Sequence, residues 1–292
     1  MVLAMSNLDD LFGPAPQKED FDKEAWAAKK KAERDEVYAL ADEMATEAVS
    51  NGEIFRIYLG MQAQFSHYSA TNVLLILAQN GDATKLRDYE GWANCGYFVK
   101  KNESGISILE PGKTYTTKDG RTGTYYEIKK VFDISQTNAR PYTPASVQYD
   151  ARMLLSALVA KRPVPIEMAD ELSEGAVYDR TRHRILVRRG MDTDALFRCL
   201  SKSLAEAELE QREIYEAEKA PFQSECIAYM LSRRYGVEND GSAFEQLPDW
   251  LRKTEPRKIR DELSKMSDTM RCMLGRLEKA LEQAKQEKQK ER

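Results

Sequence analysis

After Trp92 the hydrophobic period of this chain changes, and no other feature restricts its fold as much. Behind that point stand short β-branched or aromatic runs: Tyr97-Phe98-Val99, Ile106 to Leu109, Lys113 to Thr117 and Thr124 to Ile128. Turn signals separate them at Asn102 to Gly105, Pro111-Gly112 and Lys118-Asp119-Gly120. Asp119-Gly120, between a Thr-rich and a Tyr-rich run, is a hairpin signal. Val131 to Ile134 continues or follows the last strand. Ahead of Trp92 the pattern is helical, so the chain reads as helices followed by an antiparallel β-meander, an α+β arrangement.

The segment from Phe21 to about Val49 is rich in Ala and charge and holds no Gly or Pro, which predicts a helix with a mostly polar early face. A second helix is expected over Ile54 to Gln64. A third follows Ser69, a suitable N-cap before the apolar run Val73 to Leu77, and is expected to be buried. Residues 138–146 carry two prolines and no pattern, as a linker would. Beyond it the spacing predicts a helix over Val147 to Ala160, a strand over Val164 to Glu167, and a hairpin of Ala176–Tyr178 with Arg184–Val187. Helices follow over about Asp194 to Ala217, Phe222 to Tyr235, and from Arg257 onward. The last carries apolar residues at 259, 263, 266, 270, 273, 277, 281 and 284, a stripe that predicts packing on its own domain. After Ala284 the composition turns wholly polar and charged and fraying is expected. The division is a mobile leader over 1–20 and domains over 21–140 and 147–292.

Composition removes several classes. With 42% hydrophobic residues the chain can build a core, which excludes intrinsic disorder. The longest apolar run, Val73 to Ala78, is too short to span a bilayer, and no signal peptide precedes the acidic start. No membrane contact is expected, and the expectation is a soluble, cytoplasmic protein. Cys95, Cys199, Cys226 and Cys272 form no CxxC pair, so neither a disulfide framework nor a zinc knuckle is indicated. Between Lys85 and Arg140, ten Lys/Arg stand against seven Asp/Glu in a chain of net charge −4. A basic island in an acidic chain suggests a nucleic-acid-facing surface, although a solvated sheet face would look the same.

A set of short motifs recurs in order: His67-Tyr68-Ser69-Ala70-Thr71-Asn72, Gly91-Trp92, Gly96-Tyr97-Phe98-Val99-Lys100-Lys101, Gly105-Ile106, Ile108-Leu109-Glu110-Pro111 and Phe132-Asp133-Ile134-Ser135-Gln136-Thr137. Over residues 20–140 this resembles the N-terminal domain of ArdC-type antirestriction proteins and the LtrC-like proteins of conjugative elements. The resemblance implies a domain that binds single-stranded DNA non-specifically and travels with mobile elements. Single strands are held by cations along the phosphates and by rings under the bases. Lys100, Lys101, Lys129 and Lys130 are candidate cations, and Tyr115 and Tyr125 candidate stacking rings, with Tyr97, Phe98 and Tyr126 nearby. About half of these aromatics are expected in the core, and Trp92 is expected to anchor the helix–sheet joint. Asn72 and Gln136 complete the candidate set; Asn72, like Gln79, reaches either backbone groups or a nucleotide. His67 reads as structural.

The second half resembles that family's zincin-like metalloprotease domain. Ala176 to Val187 matches the hairpin before the active helix, and Phe222 to Tyr229 with Tyr235-Gly236-Val237 the helix supplying the third metal ligand. Where the family has HExxH, this chain reads Lys202-Ser203-Leu204-Ala205-Glu206. HExxH works because imidazoles at i and i+4 share one helix face and hold Zn²⁺ while the Glu activates water. A protonated lysine cannot ligate, Ser203 is a poor base, and only Glu225 keeps a ligand's identity. The expectation is a degenerate, non-catalytic fold with no metal or other cofactor, in which Lys202 takes the cation's place and bridges Glu206 and Glu225. If buried, that bridge would be worth a few kcal/mol. The functional expectation is a single-stranded-DNA-binding accessory protein of antirestriction or conjugation type. The alternative is an interaction module whose pseudo-protease groove binds a restriction or transfer partner.

Overall fold

The computed structural model describes residues 22–117, 119–140 and 149–290. The expected leader and residues 141–146 of the expected linker lie outside them. Contacts divide the chain into units 1–36 and 37–292. The described part of the first unit is the largely exposed beginning of helix α1 (Lys23–Ala48), where Lys30 pairs with Glu33 at 2.7 Å.

The helices begin where capping chemistry allows it. Asn51 caps α2 (Gly52–Gln64) and Ser69 caps α3 (Ala70–Gln79), each accepting backbone N–H groups of the first turn. Val73, Leu74, Leu75 and Ile76 are fully buried, as the all-round apolar sequence of α3 requires. The first sheet has the order β1-β3-β2, with β1 (Leu86–Arg87), β2 (Ile106–Thr116) and β3 (Thr122–Asp133) antiparallel, and the short helix α4 (Tyr89–Ala93) sits beside it. The hairpin turn falls at Asp119-Gly120 as expected, with Gly120 at φ +78°.

Two local readings are corrected. Tyr97 to Val99 is no strand: Val99 makes a single bridge to Thr137, flanked by Lys100 N to Gln136 O (2.9 Å) and Asn138 N to Phe98 O (3.0 Å). Pro111-Gly112 is no turn: β2 runs through it with a register shift between Pro111 and Thr114. The reason lies in which way the backbone faces. Ser107 and Leu109 direct their N–H and C=O groups away from β3, towards α3, and Pro111 continues that alternation. Its missing N–H therefore falls on the outer edge, where no ladder bond is lost.

That outer edge is closed by side chains of α3. Asn72 Nδ2 donates to Leu109 O at 2.9 Å, and Leu109 N donates to Asn72 Oδ1 at 2.8 Å. Gln79 does the same for Ser107, at 3.0 Å and 2.8 Å. Two amides seven residues apart on one helix thus replace a neighbouring strand. Asn72→Leu, which keeps the volume and removes both partners of buried Leu109, should cost about 2–4 kcal/mol. Gln79→Leu should cost less, because Gln79 is exposed and water can substitute. Urea unfolding of the two variants measures the difference.

The second sheet has the order β4-β6-β5: β4 (Ile166–Ala169) is parallel to β6 (Arg184–Arg188), and β5 (Ala176–Asp179) antiparallel to it. Around it lie α5 (Ala151–Val159), α6 (Thr193–Gln211), α7 (Ala220–Tyr235), the short α8 (Asp249–Arg252) and the long α9 (Pro256–Lys290). The α9 stripe of Ile259, Leu263, Met266, Met270, Met273, Leu277 and Leu281 is buried against α3, α5, α6 and α7, so it serves this fold and no coiled coil. The backbone stays helical to Lys290 rather than ending at Ala284, because nothing in the polar tail breaks a helix. One apolar core takes in Phe55, Leu59 and Val73 together with Phe197, Leu204, Ile227 and Met270.

Candidate functional site

The β2–β3 hairpin supplies the first part of the site. Up to Leu109 and Ile128 it is packed: Ile106, Ile108 and Val131 enter the main core, while Leu109 joins Val37, Ala41 and Leu75 on the opposite side. From Glu110 to Glu127 the described residues are exposed on both faces apart from the half-buried Gly112 and Gly123, so the hairpin continues as a two-stranded arm. Pairing of Tyr115 with Gly123 puts Tyr115 and Tyr125 on one face. Their ring centroids lie 4.3 Å apart at a 39° tilt. Gly123 makes room for this, since a Cβ there would meet the Tyr115 ring at 2.5 Å. The pair is nevertheless open, with Tyr115 38% and Tyr125 52% exposed. Tyr126 stands on the other face among threonines.

A second exposed ring lies beside the lysine pair. Trp92 is buried and donates Nε1–H to Phe132 O at 2.8 Å, the expected joint between helix and sheet. Tyr97 meets its edge yet is itself 40% exposed, and Phe98 is 57% exposed, so the expectation that about half of these aromatics enter the core is corrected: all five rings are open to solvent. Lys100 donates to Ser135 O at 2.8 Å, and Lys101 makes no ion pair among the described residues. Lys130 donates to Gly105 O (3.0 Å) and Ser107 Oγ (2.6 Å). None of the three has a carboxylate partner among the described residues.

Three members of the expected set do not belong with them. Lys129 lies between Asp88 (2.9 Å) and Glu110 (3.1 Å), and these carboxylates already answer its charge. The hydrogen bond to Asp88, then that to Glu110, raises its pKa, and the same contact lowers that of Asp88. Asn72 is buried and spends its amide on Leu109. Gln136 accepts from Asp133 N (2.9 Å) and donates to Glu103 Oε2 (3.0 Å) and Ser104 O (2.9 Å), closing a capping box on the 3₁₀ turn Ile134–Gln136. The adjoining Asp133 accepts from Thr84 N and Lys85 N at 2.7 and 2.8 Å, and from both Ser135 N and Oγ. Burial alone would raise this carboxyl; the hydrogen bonds outweigh burial and hold it below the usual carboxylate range. The Phe132 to Thr137 motif is thus a structural clasp.

In the second half, Lys202 and Glu206 lie one turn apart on α6, and Glu225 of α7 meets Lys202. Lys202 Nζ is 3.2 Å from Glu225 Oε2, as expected. The other half of the expected bridge is corrected: Glu206 makes no ion pair with Lys202 and instead accepts from Ser224 Oγ at 3.2 Å. Burial pushes the Glu206 carboxyl up, and the Ser224 hydrogen bond and the Lys202 charge only partly offset it. The Lys202 and Glu225 side chains keep 35% and 25% of their surface, so solvent screens the pair and its worth falls to about 1 kcal/mol or less. Ser203 faces the core, and Cys226 is buried in it. His183 lies 3.5 Å from Glu210, and His67 packs on Tyr68 at 4.4 Å between centroids. Among the described residues no three His, Cys, Asp or Glu side chains are grouped to hold a metal ion. The Lys202 position does not fit one: an ammonium has no lone pair to give. Nor, among the described residues, is any helix long and apolar enough to cross a membrane.

No family model matches the chain. An uncharacterized protein of Bacillus anthracis, pXO2-81, is 21% identical over 79% of this chain and 49% of its own length, so the chain spans about half of that curated relative. Among solved structures, the Mn(II)-bound antirestriction ArdC protein from the R388 plasmid superposes with a TM-score of 0.51 and 16% identity over 73% of this chain and 85% of that one. Its metal-free form gives 0.49 and 17% over 74% and 86%. The chain has the ArdC fold, and the resemblance expected from the sequence is met at that level.

Proposed function

We propose that this protein is an antirestriction-type accessory protein of a mobile genetic element, and that it binds single-stranded DNA without catalysing a reaction on it. The observation that carries the reading is that one hairpin and its flanking loops carry both open rings and cations without a described carboxylate partner, Tyr115 and Tyr125 on one face of the hairpin and Lys130 on the other. Tyr115 and Tyr125 offer two faces on the arm, Phe98 offers another, and Lys100, Lys101 and Lys130 hold positive charge that no carboxylate among the described residues cancels. Bases present π-faces only when unpaired, so rings of this kind favour a single strand over a duplex. The ArdC likeness supports the antirestriction part of the reading. The Lys202 ammonium, at the position to which the sequence resemblance assigns an imidazole, supports the absence of catalysis.

The test is a fluorescence-anisotropy competition on the full chain. A labelled single strand should be displaced by unlabelled single strand at concentrations at which the matching duplex does not compete. Equal competition by the duplex would leave the rings without a role and overturn the reading.

A further inference from the structure

We propose that Lys202 is the resident cation of the α6–α7 carboxylate cluster and that its ammonium keeps divalent ions out. Positions 202 and 206 share a face of α6 one turn apart. The same stretch of α7 reaches both: Glu225 Oε2 lies 3.2 Å from Lys202 Nζ, and Ser224 Oγ lies 3.2 Å from Glu206 Oε1. One built-in positive charge thus stands in ion-pair contact with Glu225 of α7 and one helical turn from Glu206 of α6, which Ser224 holds. An ammonium donates hydrogen bonds but offers no electron pair, and its charge repels a second cation. The side chain that balances Glu225 is thus also the one that blocks coordination. With an imidazole at 202, the set would hold one imidazole and the carboxylates of 206 and 225, donor types that divalent first-row metals accept. The inference concerns metal exclusion alone and stands or falls separately from DNA binding.

The experiment uses the full chain freed of metal by chelation, with MnCl₂ titrated in and binding read by the electron paramagnetic resonance of free Mn(II) and by Tm. Wild-type protein should bind no stoichiometric Mn(II) and show no change in Tm. Lys202→His should bind one equivalent at least tenfold more tightly than wild type, with a Tm that rises with metal concentration as mass action requires. Adding Glu225→Gln to that variant should abolish the gain, which separates this site from a surface histidine. Uptake of one equivalent by the wild type would overturn the proposal whatever the variants do. A Lys202→His protein with a native circular dichroism spectrum and no gain in Mn(II) binding would overturn it equally.

Discussion

Arg276→Ala should destabilise the fold by about 3–5 kcal/mol, the range for breaking a buried ion pair from one side. Glu208 on α6 is 3% exposed. Its Oε2 accepts from Arg276 of α9 at 2.6 Å, and its Oε1 from the Cys272 thiol at 3.0 Å. Arg276 also donates to Cys272 Sγ at 3.3 Å, so the three side chains form a closed set between the two helices. Burial by itself would raise the Glu208 carboxyl; the bonds from Arg276 and Cys272 outweigh it and hold the pKa below its ordinary value. A depressed folded pKa means stability that is present above the unfolded value of about 4.3 and lost as pH falls through the folded value. Without Arg276 burial dominates, the folded pKa rises, and the variant carries a penalty at neutral pH that acid relieves. The gap between wild type and variant should therefore narrow from pH 7 towards pH 4 in urea unfolding. Replacing both partners, Glu208→Gln with Arg276→Met, should recover much of the loss, since no charge remains buried. A loss below about 1 kcal/mol in the single variant would remove the cluster from any account of stability.

The second large effect is on binding. Tyr115→Ala combined with Tyr125→Ala should weaken single-strand affinity about 30-fold or more, from roughly 1–3 kcal/mol per stacked base. The rings are open to solvent and lie on the arm beyond the core, so Tm should hardly move. No charge is removed, so the dependence of affinity on salt should keep its slope while the whole line shifts down. An oligonucleotide of abasic sites, which has phosphates and no bases, should bind wild type and variant alike. Undiminished affinity for ordinary single strands in the double variant would assign the arm to another partner, such as a protein, and leave the lysines to carry DNA.

How much of this was legible in the sequence depends on how local each signal is. Ser69 as a cap, the Asp119-Gly120 turn and the α9 stripe are written within a few residues and are found where expected. Pro111-Gly112 has the same local chemistry in a turn as on a sheet edge. The choice is made by the direction of the Leu109 and Ser107 backbone, which depends on α3 some thirty residues away. Lys129 and Lys130 are neighbours with opposite fates, because alternation sends one towards Asp88 and Glu110 and the other towards Gly105 and Ser107. Only the register of β3 distinguishes them. Asn72 and Gln79 were visible as a polar pair on an apolar helix, but the strand they complete was not. Glu208 is one of three glutamates alternating with apolar residues over Ala205 to Gln211, with nothing to mark it as the buried one; Arg276, its partner, is 68 residues further on. The Lys202–Glu225 pair was reached through family register, whereas Ser224 as the partner of Glu206 required the geometry of α7.

The measurement that tests the central claim most directly is a salt series. Single-strand affinity should be followed by anisotropy over several salt concentrations for wild type, for the triple variant Lys100→Ala, Lys101→Ala, Lys130→Ala, and for Lys129→Ala. Wild-type affinity should fall linearly on a log–log plot, and the triple variant should lose about 0.7 of slope for each phosphate contact removed. Lys129→Ala, whose charge Asp88 and Glu110 already answer, should leave the slope unchanged. Equal slopes and affinities for the wild type and the triple variant would contradict the account.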